Sequence, residues 1–433
     1  MADAASRWQD PAVKARLRRR NAAERGFRAL GAIAVLLATA ALTTLLVSVL
    51  WNGPRAAYRT ELALDVTLDA ETLGIDAAAL DPASESLATA DFGAAVRGAL
   101  LARFPDVSER AAVRELVELT SRGAAASLAE RLREEPELFG RRTRLGLVAS
   151  DEVNAFAAAR ESAERAAPAT RLSERQIGWI EALAADGRLK RRFSLHFFRA
   201  GDSREPELAG IGGALVGSAL TLLVALAVSF PLGVAAAIYL EEFARDNRFT
   251  RQLEVNINNL AAVPSIVFGL LGLAIFLRFL GMPRSAPLVG GLTLALMTLP
   301  VIIIASRAAI AAVPVWIRES ARGLGASPIQ VVAHQVLPLA MPGILTGTLL
   351  GLARAMGETA PLLMIGMVAF IVDVPAGFSD AASALPVQIF LWADSPERGF
   401  VDKVSGAILV LLILLGLING AAILLRQRFE QRW

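Results

Sequence analysis

The sequence predicts an all-α polytopic membrane protein with six transmembrane helices and a soluble α/β domain inserted between the first helix and the second. Three observations carry this. Hydrophobic residues make up 55% of the 433 positions, and the mean hydropathy is +0.50. Charged residues still account for 20%, so part of the chain must lie in water. Uncharged stretches long enough to cross a hydrocarbon core, which takes about 20 residues, recur along the chain.

Composition also narrows the function. A net charge of +3 is too small to argue for nucleic acid. There is no cysteine, so no disulfide, thiol nucleophile or Cys metal site. The two histidines, His196 and His334, are far apart, which argues against a His metal centre or catalytic dyad. No G-x-x-x-x-G-K-[ST] loop is present, so the chain has no ATPase site of its own. No catalytic, cofactor-binding or metal-binding residues are expected.

Residues 1–28 are polar and basic, with Arg16, Arg18, Arg19, Arg20, Arg25 and Arg28 crowded together. A basic run before an apolar span reads as a cytoplasmic anchor. Residues 29–51 carry no charge and form the first span; a signal peptide has a shorter apolar core. Residues 52–208 are predicted to be a periplasmic α/β domain. Leu62, Leu64, Val66 and Leu68 alternate with Glu61, Asp65, Thr67 and Asp69, the pattern of a half-buried strand. Further strands are expected at 144–148 and through Phe193, Leu195 and Phe197. Helices are expected at 92–104, 109–119 and 173–189, and from Asp151, whose carboxylate is placed to cap it. No catalytic constellation stands out here.

From residue 209 the chain returns to the membrane, with spans predicted at about 209–240, 255–280, 285–306, 342–371 and 404–425. Residues 373–403 read as a polar loop and 426–433 as a cytoplasmic tail. Pro264 and Ser265 break the start of the third span; a packing kink and a polar contact on a translocation path are both open. The arginine-rich start, the 241–254 and 307–340 loops and the tail with Arg426, Arg428 and Arg432 all fall on one side, as the positive-inside rule requires. Both termini are therefore expected in the cytoplasm, and residues 52–208 outside.

Glu319 to Pro338 stands apart, with charge and glycine between two apolar spans. Pro314 can open a first short helix, Gly325 can close it in the left-handed conformation, and Ser327, Pro328 and Gln330 fit a capping box for a second. That second helix is expected to stop at Leu337, because Pro338 disfavours a helical residue before it. Glu319-Ser320-Ala321, Gly325 and Leu337-Pro338 resemble the EAA loop of ABC importer permeases. Ser320 replaces the first Ala and Gln335 stands at the usual Ile. The resemblance implies an ABC type I importer permease fold and a coupling loop at 307–340 that docks on a cytoplasmic ATPase, through Glu319, Ser320, Ala321, Gly325, Leu337 and Pro338.

Arg354 and Glu358 lie in an otherwise apolar stretch. On a helix they share a face, and a charge at mid-span costs roughly 2.5–3.5 kcal/mol. A buried ion pair that fixes packing and a substrate pathway are both open; a guanidinium suits phosphate oxygens. Arg354-Ala355-Met356-Gly357-Glu358-Thr359-Ala360-Pro361-Leu362-Leu363 resembles the signature of the PstA branch of the bacterial phosphate importer permeases, as do Tyr239-Leu240-Glu241-Glu242 and the run from Asn259 to Gly269. The matches cover about residues 209–425, and an extended form with an extra N-terminal domain is known in the family. This resemblance implies phosphate import across the bacterial inner membrane, with Arg354, Glu358, Thr359 and Ser265 on the substrate pathway. It implies a PstC-type permease partner, a PstB-type ATPase dimer that uses the ATP, and a periplasmic PstS-type phosphate-binding protein. No cofactor is expected in this chain; membrane lipid is a further expected partner, and nucleic acid is not. Two rivals are a permease for another oxyanion, such as phosphonate or molybdate, and a membrane receptor with a periplasmic sensing domain.

Overall fold

The computed structural model describes residues 11–75, 90–161 and 171–429. Residues 1–10 of the predicted N-terminal segment and 430–433 of the predicted tail, Arg432 among them, lie outside the described residues. The chain opens with α1, Pro11–Asn52, a single 42-residue helix that carries both the basic segment and the first predicted span. Its described side chains are almost all exposed, as expected of a lipid-facing helix. It meets the rest of the protein at its C-terminal end, where Gly53, just past it, lies against Leu409 and Ser405 of the final helix.

The inserted domain is built on a three-stranded antiparallel sheet in the order β2-β1-β3. The central strand is β1, Tyr58–Thr67. It pairs with β2, Arg142–Val148, and β3, Leu189–Phe193, with Leu62 opposite both Leu147 and Leu189. The alternation read from the sequence is borne out at β1: Leu62, Leu64 and Val66 are fully buried. They pack under α2 (Ala70–Leu73), α3 (Phe92–Arg103), α4 (Arg110–Val117), α5 (Ala124–Glu134), α6 (Asp151–Glu161) and α7 (Glu174–Ala185). Helix α7 begins in a full capping box between Ser173 and Gln176. Helix α5 was not legible, because its apolar face is made of Ala124, Leu128 and Leu132 among charges.

Two expectations in this domain need correction. The third strand ends at Phe193, because Ser194 donates its N–H to Ala57 O and its hydroxyl accepts from His196 N. The chain then turns into the short helix α8, His196–Arg199, and Phe197 enters the joint with the membrane half instead of the sheet. Asp151 does start α6, but its carboxylate accepts the N–H of Gly399, far along the chain.

The membrane half starts with α9, Gly212–Ile238, extended by a wide helical turn over Tyr239–Phe243. The predicted third span is not straight. Helix α10, Arg248–Ala261, and α11, Ser265–Gly272 with a wide turn over Leu273–Phe279, meet at 101°. Pro264 has no N–H to continue the ladder and takes an extended ψ of 138°, so the break is a corner. Helix α12, Pro287–Ala311, packs closely on α9 through small residues: Gly233 faces Ile302 and Gly291 faces Val224.

The fifth predicted span is displaced as well. Helices α13, Val315–Gly323, and α14, Pro328–Val331, form the hairpin; a wide turn over Val332–Val336 then leads into α15, Leu337–Met356. Pro338 does not stop the helix. The wide turn lets Leu337 N–H bond Val332 O, and the proline falls in the new first turn, where no donor is needed. Nor does the span reach 371: it ends at Met356, and only α16, Ala360–Met364, follows. The predicted polar loop at 373–403 contains a buried apolar helix, α17, Leu385–Ala393, whose Leu385 N–H is bound by the Ser218 hydroxyl. Helix α18, Phe400–Phe429, completes the described chain. Among the described residues five helices are long and apolar enough to cross a membrane, and the α10–α11 pair makes a sixth if counted as one broken span.

Candidate functional site

The hairpin is shaped by local chemistry. Helix α13 ends in a Schellman motif: Gly325 N–H bonds Arg322 O, Ala326 N–H bonds Ala321 O, and Gly325 has φ +87°. At the start of α14, Ser327 Oγ accepts from Gln330 N, and Gln330 Oε1 accepts from Ser327 N at 2.9 Å. Ile317, Val331, Val332 and Val336 are buried against the bundle. The opposite side is open: Glu319, Ser320, Gly325 and Pro338 are exposed, while Ala321 and Leu337 are half-buried. Leu324 and Ile329 project into solvent at 91% and 71% exposure, beside a shallow concavity between the two short helices. Exposed apolar side chains beside a small-residue turn have the character of an interaction surface.

The strongest polar link in this region lies outside the predicted set. Arg318 donates from Nε and Nη2 to Glu242 Oε1, at 2.9 and 2.7 Å, and from Nη1 and Nη2 to Val313 O and Ile310 O. The guanidinium therefore ties α13 both to the end of α9 and to carbonyls at the end of α12. Beside it, Arg307 pairs with Glu241 and Glu254, joining α12, α9 and α10. The motif Tyr239 to Glu242 marked one side of this cluster in the sequence; nothing local marked Arg318 as its counterpart.

Arg354 and Glu358 do come together, Nε to Oε1 at 3.5 Å, although the helix ends between them at Met356. Arg354 is 55% exposed and Glu358 20%. Thr359 precedes α16 without capping it through its side chain. Gly269 of α11 sits on Pro361, and Gly272 on Ile365. Helices α11 and α16 thus run side by side in one direction. Behind Arg354, Ala355 and Met356 line a narrow crevice with Ser218 and Thr221. The buried Thr221 hydroxyl has no partner among the described residues, and sequence reading did not single it out.

Residues 229–433 match the family described as binding-protein-dependent transport system inner membrane component. Phosphate transport system permease protein PstA 1 of Mycobacterium tuberculosis is 36% identical over 217 residues, 50% of this chain and 70% of the relative. The PstA protein of Haemophilus influenzae is 31% identical over 223 residues, 51% of this chain and 78% of the relative. The chain belongs to the PstA family of ABC transporter permeases. As a PstA-family protein it is a multi-pass membrane subunit that works with an ATPase and a substrate-binding protein. Residues 14–167 match a domain of unknown function, DUF3333. Among solved structures, the inward-facing MetNI methionine ABC transporter aligns with 51% of this chain and 96% of its own, at 18% identity and a TM-score of 0.41.

Proposed function

We propose that this PstA-family permease forms, with a PstC-type partner, the path for inorganic phosphate across the bacterial inner membrane. A PstS-type protein delivers phosphate from outside, and a PstB-type ATPase dimer drives the cycle from the cytoplasm and uses the ATP. Both termini lie in the cytoplasm, and residues 52–208 lie outside. The observation that carries the reading is the hairpin itself: an exposed apolar turn whose base is tied by Arg318 to α9 and α12. Motion of the docked ATPase at Glu319, Ser320, Ala321 and Gly325 is transmitted through Arg318, and through Leu337 and Pro338 into α15. At the far end of α15 sits Arg354, whose partly exposed guanidinium presents paired donors to phosphate while Glu358 holds it in place. Ser265 and Thr359 flank the same path.

The test is ATP-dependent uptake of radiolabelled phosphate into proteoliposomes holding all four subunits. Uptake should need the binding protein and should not be competed by molybdate or a phosphonate. Efficient molybdate or phosphonate uptake in place of phosphate would replace the substrate assignment.

A further inference from the structure

A cavity of about 570 Å³ lies where the inserted domain meets the loops that lead into α9 and α18. Its volume is in the range of small-molecule sites. Glu207, from the loop before α9, lines it and is 5% exposed. Ser121 hydrogen-bonds that carboxyl group, yet Oε2 has no partner among the described residues. Ser150 Oγ, also buried in the lining, lacks a partner too. A buried carboxylate oxygen left unpaired is costly, and such groups almost always find a donor.

The wall as a whole is acidic. Glu118, Asp151, Glu152, Glu205, Glu207 and Glu397 line it, against Arg122, Arg171 and Arg398. Lys403 lies within electrostatic reach of Glu207 and Asp151 but is engaged elsewhere: Nζ donates to Ala56 O at 3.0 Å and stands over the Phe197 ring. A bare metal ion is a poor fit, since no group of three metal-ligating side chains occurs among the described residues. What the cavity lacks is a donor with positive charge on a body of small-molecule size.

We infer that this junction is a binding site for a small organic cation, whose primary ammonium is held by Glu207 Oε2 with Ser150 and Asp151 beside it. The site touches both halves of the protein. Asp151 accepts the Gly399 N–H at the entry to α18, and Glu207 stands just ahead of α9. A bound cation would neutralise carboxylates that otherwise face one another across the joint, and so clamp the inserted domain onto the permease.

The experiment is calorimetric titration of the full chain in phosphatidylcholine nanodiscs with putrescine, using 1,4-butanediol as the neutral control. Putrescine should bind saturably and the diol should not. Glu207→Gln keeps the shape but removes the charge, and should weaken putrescine about tenfold or more. Glu135→Gln, on the remote face, should leave it unchanged. Protons compete for the same carboxylates, so affinity in the wild-type chain should fall from about pH 8 to about pH 6. That arm needs no variant and involves Asp151 together with Glu152, Glu205, Glu207, Asp402, Arg398 and Lys403 around it. Adding phosphatidylethanolamine to the nanodisc separates two sources of the ammonium. Loss of putrescine binding would mark a lipid headgroup as occupant, and retention a soluble amine; either leaves the site standing. Absence of saturable binding, or equal binding in Glu207→Gln, would overturn it.

Discussion

Arg318 Nη2 lies 2.7 Å from Glu242 Oε1, with the two side chains 13% and 6% exposed. The pair joins the α13–α14 hairpin to the end of α9 across 76 residues of sequence. Breaking a buried pair by removing one partner typically costs about 3–5 kcal/mol, because the other charge is left unpaired. Here that cost falls on the joint proposed to transmit the ATPase's motion. Arg318→Ala should leave the ATPase bound and hydrolysing while phosphate uptake drops about tenfold or more. The exchange Arg318→Glu with Glu242→Arg should recover part of the uptake. Hydrolysis and transport that fall in parallel would show the pair to be merely structural.

Arg354 is the second test. Replacing it with Ala should lower phosphate uptake by about ten- to a hundredfold, the size expected for losing charge-assisted hydrogen bonds. Lys restores the charge but not the planar fork, so Arg354→Lys should recover little. Glu358→Gln keeps a hydrogen-bond acceptor and should cost less. Normal uptake by Arg354→Ala in an assembled complex would remove Arg354 from the pathway.

Much of this was legible, because the hairpin is encoded by neighbours. Gly325, Ser327 and Gln330 act within a few residues of one another, and the structure has the Schellman turn and the capping box. The β1 alternation is likewise local. What escaped depends on distant partners or on ladder shifts. Arg318 and Glu242 are unremarkable charges until the fold brings them together. Pro338 reads as a stop only for a regular helix, and the wide turn at Val332–Val336 removes that condition. Pro264 signals a break, but that it becomes a corner goes with α10 and α11 each packing on α12, which the local sequence does not show. Leu385–Ala393 is apolar yet too short to span, so its burial between other helices has no signature of its own.

Gly325 offers a test confined to the hairpin. At φ +87° an L side chain is strained, by about 1–2 kcal/mol for a left-handed conformation. No atom lies within 4 Å of an added Cβ, so Gly325→Ala introduces strain without a clash. The variant should insert and fold but hold the ATPase about tenfold more weakly, measured by co-purification across an ATPase titration. Gly323→Ala has equal space and no such φ, and should be neutral. Equal loss in both would trace the effect to something other than the turn.

The joint between the inserted domain and the membrane half should respond to pH. Burial, reinforced by Glu207, Glu152 and Asp402, raises the Asp151 carboxyl from 3.8 to about 7, while the Gly399 N–H opposes the shift. Glu207 is raised as well, chiefly by burial. A carboxyl raised on folding keeps a proton that the unfolded chain has lost, so stability falls as pH rises between the two values. For Asp151 that window runs from about 4 to about 7, with a ceiling of roughly 4 kcal/mol for a shift of this size. Asp151→Asn removes the titration and keeps an oxygen to accept the Gly399 N–H. In ligand-free protein the unfolding temperature of wild type should decline from acid to neutral pH. The variant should show a shallower decline and should be the more stable of the two at about pH 8. Parallel pH profiles for the two proteins would mean that Asp151 is already ionised in the folded joint.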